Sequence, residues 1–189
     1  MALDSESRWR LVRKAKAQPT EAQNTVELRD AIETDLPQIV EIYNYYIQNS
    51  VVTFDLEPLT LSDWVEKYRY IQGLSLPFIV ASSSSGQILG FAYVAPWRQK
   101  AAYRRTVEDS IYLRPAAIGK RIGTKLLEQL LAKSKAAGVK EVVAVISDKG
   151  ADASIKLHET FGFKHQGHLG KVGFKFGRWL GTVLLQKSL

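Results

Sequence analysis

The stretch from Thr106 to Leu131, TVEDSIYLRPAAIGKRIGTKLLEQLL, constrains this chain more than any other. It reads as an alternating strand, a proline-marked break, a short glycine-containing loop and an amphipathic helix. A strand that leads through such a loop into a helix N-terminus directs backbone N–H groups outward, where they can hold an anion. On the strand, Val107, Asp109, Ile111 and Leu113 share one face, and Glu108, Ser110 and Tyr112 share the other. A carboxylate, a hydroxyl and a phenol therefore stand in a row beside a candidate anion site. That arrangement suggests a reaction centre next to a phosphate-bearing cofactor.

A chain of 189 residues can bury one sizeable core and is short for two domains. No apolar run approaches the roughly 20 residues a membrane-spanning helix needs. Cysteine is absent, which excludes disulfides, thiolate metal sites and a cysteine nucleophile, and fits a reducing, cytoplasmic compartment. The three histidines, His158, His165 and His168, have no spacing typical of a paired metal site, so no metal is expected. The net charge of +7 favours acidic partners: nucleic acid, a membrane surface or a polyanionic cofactor. Charge alone does not choose among them.

Residues 1–24 read as a flexible N-terminal extension, with five basic residues in RWRLVRKAKAQP before the break at Pro19. Residues 25–189 read as a single domain. VELRDAI alternates as a strand. Thr34 is the expected N-cap of a helix whose apolar face is Leu36, Ile39, Val40, Tyr43 and Ile47. VVTFDLEPLT is a loop, and a second helix runs from near Thr60 or Ser62 to Gly73. PFIVAS and QILGFAYVAP form a hairpin across SSSG. WRQKAAYRR is a basic, aromatic loop before the opening stretch. The next helix spans about Arg121 to Ala137 and stops at Gly138. EVVAVIS is a strand buried on both faces, and ASIKLHETF is a short helix ending at Gly162. The remainder reads as a strand, a glycine-rich turn region and a last strand. The order β α α β β β α β α β β implies an α/β fold with a central mixed, twisted sheet flanked by helices on both faces.

Five segments now stand together: LRDAIETDLPQIVEIYNYY, TFDLEP, GFAYVAPWRQKAAYRRTVEDSIY, SIKLHETFGF and VGFKFGRW. In this order they resemble the GNAT superfamily of acyl-CoA N-acyltransferases, and within it the phosphinothricin and methionine sulfoximine acetyltransferase branch. The resemblance runs from about residue 26 to the C-terminus. It implies acetyl-CoA as cofactor, a small amine or amino-acid acceptor, and a homodimer. It also implies direct attack of the amine on the thioester, with Glu108 as general base and His158 near the reacting centre. For the cofactor it points to Ile111, Tyr112 and Leu113 on the strand. It adds Ile118, Gly119, Lys120, Arg121, Ile122, Gly123 and Thr124 in the loop and helix start, and Ser154. For the acceptor it points to Phe54, Arg98, Lys100, Tyr103, Ser110, Tyr112 and Ser147. Arg98 and Lys100 suit an anionic group such as a carboxylate or phosphinate and disfavour a cationic acceptor.

Each of these residues also has an ordinary explanation: exposed carboxylate, capping histidine, packing tyrosine, solvated loop charge. The phosphate loop departs from the superfamily pattern Q/R-x-x-G-x-G/A, because Ile118 replaces its polar first residue and Arg121 its first glycine. Two outcomes follow. The loop binds CoA in altered form, with charge compensating for a poorer backbone fit, or CoA binding is weak and the chain is a degenerate member. Acetylation of another amine or of a protein amino group remains a second enzymatic reading. A nucleic-acid-binding role is a third, but basic and aromatic residues form no recognition motif, so neither nucleic acid nor a membrane is expected as partner.

Overall fold

In the computed structural model the described residues are 26–189, and the extension expected over residues 1–24 lies outside them. The elements are β1 (Val26–Asp30), α1 (Leu36–Asn49), α2 (Leu61–Gly73), β2 (Phe78–Ser83), β3 (Ile88–Pro96), β4 (Thr106–Leu113), α3 (Ile122–Ala136), β5 (Glu141–Ser147), α4 (Asp152–Thr160), β6 (Lys164–Lys175) and β7 (Arg178–Ser188). Among the described residues the strands form one sheet in the order β1-β2-β3-β4-β5-β7-β6. Every neighbouring pair is antiparallel except β4 and β5, which are parallel and joined by the crossover through α3. Among the same residues no helix is long and apolar enough to cross a membrane.

The alternation of the strands divides the interior into two cores. Phe78, Val80, Phe91 and Tyr93 face Leu36, Ile39, Ile42, Ile47, Trp64 and Ile71 of α1 and α2. The intervening Ile79, Ala81, Ala92 and Val94 face Leu126, Leu127 and Leu130 of α3. Alanines on the α3 side let that helix lie close to the sheet, while the α1/α2 side is filled by large aromatic rings.

Two local expectations change. Thr34 does not cap α1; a 3₁₀ turn over Glu33–Asp35 precedes the helix, and the Asp35 carboxylate ties that turn back to the end of β1 rather than capping α1. That carboxylate accepts from the Ile32 N–H at 2.9 Å and from both arms of the Arg29 guanidinium at 2.7 Å, a fork stronger than a neutral cap. The glycine-rich turn region is shorter than expected, because Gly167, Gly170 and Gly173 belong to β6. The register slips between Leu169 and Gly173, with Lys171 at φ 54°. The turn itself is Phe176–Gly177, with φ of 50° and 72°, as a two-residue hairpin of the primed type requires.

The β3–β4 ladder runs without interruption from Gly90↔Leu113 to Pro96↔Val107 and is tight at its start. A Cβ at Gly90 would lie 2.5 Å from Leu113 Cδ2 and 2.9 Å from the Tyr112 carbonyl oxygen. The leucine can move; the backbone oxygen cannot. Gly90→Ala is therefore expected to destabilise the fold by about 1–3 kcal/mol. Gly167→Ala, with open space at its Cβ, should stay within about 0.5 kcal/mol. Urea unfolding of the two variants measures both.

Candidate active site

β4 and β5 pair over only three residues, Thr106↔Glu141, Val107↔Val142 and Glu108↔Val143, although both strands continue beyond them. From Asp109 onward they part, and the gap opens into a cavity of about 300 Å³. Its walls are Glu108 to Leu113 of β4, Ala144 to Ile146 of β5, and Ser154, Leu157 and His158 of α4. Tyr46, Val52, Ile118 and Gly123 complete the lining. Beyond Glu108 the edge of β4 facing β5 has no ladder partner, so its amide groups stand ready for a ligand that carries amides of its own.

Glu108 is the last paired residue and has no ion-pair partner among the described residues. Burial, reinforced by the charge of neighbouring Asp109, pushes its carboxyl up to about 7. Asp109 points to the opposite face and is 7% exposed. Its Oδ2 lies 2.9 Å from His158 Nε2, and its Oδ1 is buried without a hydrogen-bond partner. His158 Nδ1 lies 2.7 Å from the Ser154 carbonyl oxygen. Burial works against a charged ring there, but the hydrogen bond and charge of Asp109 outweigh it and raise His158 above the ordinary imidazole range. Tyr112, on the Glu108 face, stacks among Tyr43, Tyr46 and Phe91 with centroids 4.9–5.5 Å apart. Burial drives its phenol well above its usual range. The Tyr46 hydroxyl donates to the Leu113 carbonyl at 2.6 Å and ties α1 to the end of β4.

The structure thus brings together Glu108, Ser110, Ile111, Tyr112, Leu113, Ile118, Gly123, Ser154 and His158 around one cavity. Other expected site residues lie elsewhere. Arg98, Lys100 and Tyr103 sit on the exposed β3–β4 loop and do not line it. Ser147 is buried and its hydroxyl donates to the Lys149 carbonyl, closing a turn. Phe54 lies against Gly173, whose missing side chain would stand 2.5 Å from the ring. Lys120 and Ile122 line a second cavity of about 750 Å³, with Lys125 and Ser83 to Ser85. Sequence reasoning missed Asp109, Tyr46 and Leu157 as lining residues. Asp109 was placed on the face it occupies, but nothing in the strand pattern marks it as the partner of a histidine 49 residues away.

The loop before α3 turns through Pro115–Ala117 in a 3₁₀ turn, passes Gly119 at φ 82°, and reaches Arg121 at φ 58°. The helix then starts at Ile122, where the first-turn N–H groups have no partner within the helix. Arg121 thus keeps the left-handed backbone that glycine would adopt freely, and adds an exposed cation next to the orphan N–H groups, as does Lys120. Exposed cations beside orphan helix N–H groups suit an anion. The left-handed conformation costs an arginine about 1–2 kcal/mol, partly offset because glycine loses more entropy on folding. Arg121→Gly should therefore raise the melting temperature by about 2 °C, read by calorimetry without ligand.

A family model described as "Acetyltransferase (GNAT) family" matches residues 39–163. The phosphinothricin N-acetyltransferase of Alcaligenes faecalis is 38% identical over 155 residues, covering 82% of this chain and 78% of that one. The L-methionine sulfoximine/L-methionine sulfone acetyltransferase of Pseudomonas aeruginosa is 38% identical over 168 residues, covering 87% and 95%. The structure of a GNAT superfamily phosphinothricin acetyltransferase from Sinorhizobium meliloti in complex with acetyl-CoA superimposes with a TM-score of 0.83 at 42% identity, covering 87% of this chain and 89% of that one. With the parted β4–β5 pair and the helix-start loop, these matches make the chain a member of the GNAT acetyltransferase family, an N-acetyltransferase that uses acetyl-CoA.

Proposed function

We propose that this chain, as a single acetyltransferase domain over residues 25–189, moves acetyl from acetyl-CoA to the α-amine of a small amino acid or analogue. Methionine sulfoximine, methionine sulfone and phosphinothricin are the acceptors that the names of its relatives support. The observation that carries the mechanism is Glu108: a carboxylate without a cation partner among the described residues, half-buried at the cavity where β4 leaves β5, with its carboxyl near 7. Acetyl-CoA supplies an activated thioester carbonyl. Glu108 removes the proton of the acceptor ammonium, directly or through water, so that the neutral amine attacks. A base is most effective when its affinity for the proton matches the working pH, and burial brings Glu108 there. Ser110 and Tyr112, on the same face of β4, border the approach of the acceptor. No covalent intermediate on the enzyme is needed, consistent with a chain that has no cysteine. Lys120, Arg121 and the orphan N–H groups at the start of α3 hold the cofactor's phosphates.

A homodimer belongs to the same proposal. Leu169, Val172, Phe174, Phe176 and Trp179, all at least half exposed, lie on the hairpin formed by β6 and β7 at the sheet edge, and such an apolar patch favours association. Light scattering should give twice the chain mass, and Phe174→Lys together with Trp179→Lys should return it to the monomer value.

The central test is Glu108→Gln. Turnover with a panel of amino acids and sulfoximines should fall by about 10²–10⁴-fold, while calorimetry finds acetyl-CoA affinity nearly unchanged. In the native enzyme kcat/KM should rise with pH through about 7, as Glu108 ionises. Stability should move the other way. A carboxyl raised from its usual 4.5 to about 7 holds its proton more tightly in the folded state, so its contribution is full below 4.5 and lost as pH rises through 7. Glu108→Gln, which has no proton to lose, should gain stability relative to the native chain across that window. An unchanged rate in the variant would remove Glu108 from the mechanism.

A further inference from the structure

A reaction run by Glu108 leaves the Asp109–His158 pair without an assigned task, yet the pair borders the same cavity. Its protonation follows from its partners. The Ser154 carbonyl 2.7 Å from Nδ1 can only accept, so Nδ1 carries a hydrogen. Nε2 then faces Asp109 Oδ2 at 2.9 Å, and that contact must hold one more proton. With the proton on the ring, both nitrogens donate to protein acceptors. The imidazole then has no lone pair left to take a proton from a substrate. The ring is also immobile: it is 3% exposed and its face meets the edge-on Phe163 ring at 4.9 Å and 85°.

The place of the pair in the fold is as specific as its chemistry. Asp109 is the first residue of β4 after the last pairing with β5, Glu108↔Val143. Where the backbone ladder ends, the next side chain bonds instead to α4, the helix that follows β5. The bond thus bridges the two elements at the point where they diverge, one residue from Glu108.

We propose that Asp109 is a positioning residue: its carboxylate holds His158 as a fixed imidazolium with both ring nitrogens protonated, and the bond between them sets the spacing of β4 and α4 on either side of the reaction cavity. His158 then acts as a rigid cationic wall and not as a second base. The proton stays within the pair through the reaction, since neither ring nitrogen is directed at a substrate. The effect on turnover rests on the acetyltransferase reading above, whereas the state of the ring does not.

Long-range proton–nitrogen NMR on protein labelled with ¹⁵N-histidine tests the ring directly. As pH rises past the ordinary imidazole value of about 6.5, both His158 nitrogens should still resonate as protonated in the native chain. A single protonated nitrogen there overturns the proposal with no variant needed. Asp109→Asn, which keeps the shape and can donate to Nε2, should convert the ring to the neutral form with its hydrogen on Nδ1. It should also lower kcat by roughly tenfold to a hundredfold, with acceptor KM within about twofold and acetyl-CoA still bound by calorimetry. Asp109→Glu should restore the doubly protonated ring but not kcat, because the carboxylate reaches further and the spacing changes. Native kcat in either variant overturns the positioning role. If instead Glu108→Gln keeps its turnover while the native ring is doubly protonated, the general-base reading fails and the assignment of the ring stands.

Discussion

The interruption of the β4–β5 ladder after Glu108↔Val143 is the constraint on which the site depends. A parallel pair in the middle of a sheet would ordinarily continue, since every unpaired amide in the interior carries a cost. Here each strand is committed on its other side. β4 is held to β3 over the whole length from Val107 to Leu113, and β5 to β7 from Glu141 to Ser147. Two complete antiparallel ladders therefore flank the gap and keep its edges stiff. The opening is a pre-formed part of the sheet and does not require a ligand to pry the strands apart. That is what a cavity needs if it is to hold an acyl group and an amine in register.

The two cores assign different tasks to the two sides of the gap. On the α1/α2 side, rings surround Tyr112: Tyr43 touches it edge-on and also meets Trp64. The Tyr43 hydroxyl donates to Asp55 at 2.6 Å and contacts the Thr53 hydroxyl at 2.9 Å. The same loop is held from the far end of the chain by Lys175, which is buried and donates to the Thr53 carbonyl at 2.8 Å. Burial lowers the affinity of that ammonium for its proton, a cost offset by fixing the loop on both sides. Phe54 between these anchors rests on the bare backbone of Gly173. The slip in β6 between Leu169 and Gly173 brings these residues into place. The outermost strand thus braces the loop that follows α1.

Period and punctuation in the sequence were enough to order the elements, because each helix and strand has its own hydrophobic repeat and a clear stop. They also put Glu108, Ser110 and Tyr112 on one face, since alternation along a strand admits only two choices. What they left out depends on contacts between distant positions. Asp109 falls on the face of Val107 and Ile111, where a carboxylate looks like an exception, until α4 brings His158 to it. Thr34 is the expected cap by residue type, but a 3₁₀ turn comes first, and Asp35 holds it by accepting the fork of Arg29 from the preceding strand. Arg121 departs from the family's glycine in its side chain while the backbone keeps the left-handed turn. Arg98, Lys100 and Tyr103, matched by family motif, stand on an exposed loop outside the cavity, and no local pattern reveals which surface such a loop meets.

Glu108 and Asp109 show how one dipeptide can supply two carboxylates with different surroundings. Adjacent residues on a strand face opposite ways, so the sheet separates their surroundings. Asp109 meets a histidine that shares its burial, with 2.9 Å between its Oδ2 and the ring Nε2. Glu108 borders an open cavity, with no cation beside it among the described residues. Its proton affinity rises first because it is desolvated and then because Asp109 is charged next door. The charge of Asp109 therefore adds to burial in raising the Glu108 carboxyl without touching it. An isolated glutamate at the same depth would lack that second contribution, and a glutamate beside a free cation would lose most of the first. The separation of environments, and not either carboxylate alone, is what sets the proton affinity of Glu108 apart from that of an ordinary surface glutamate.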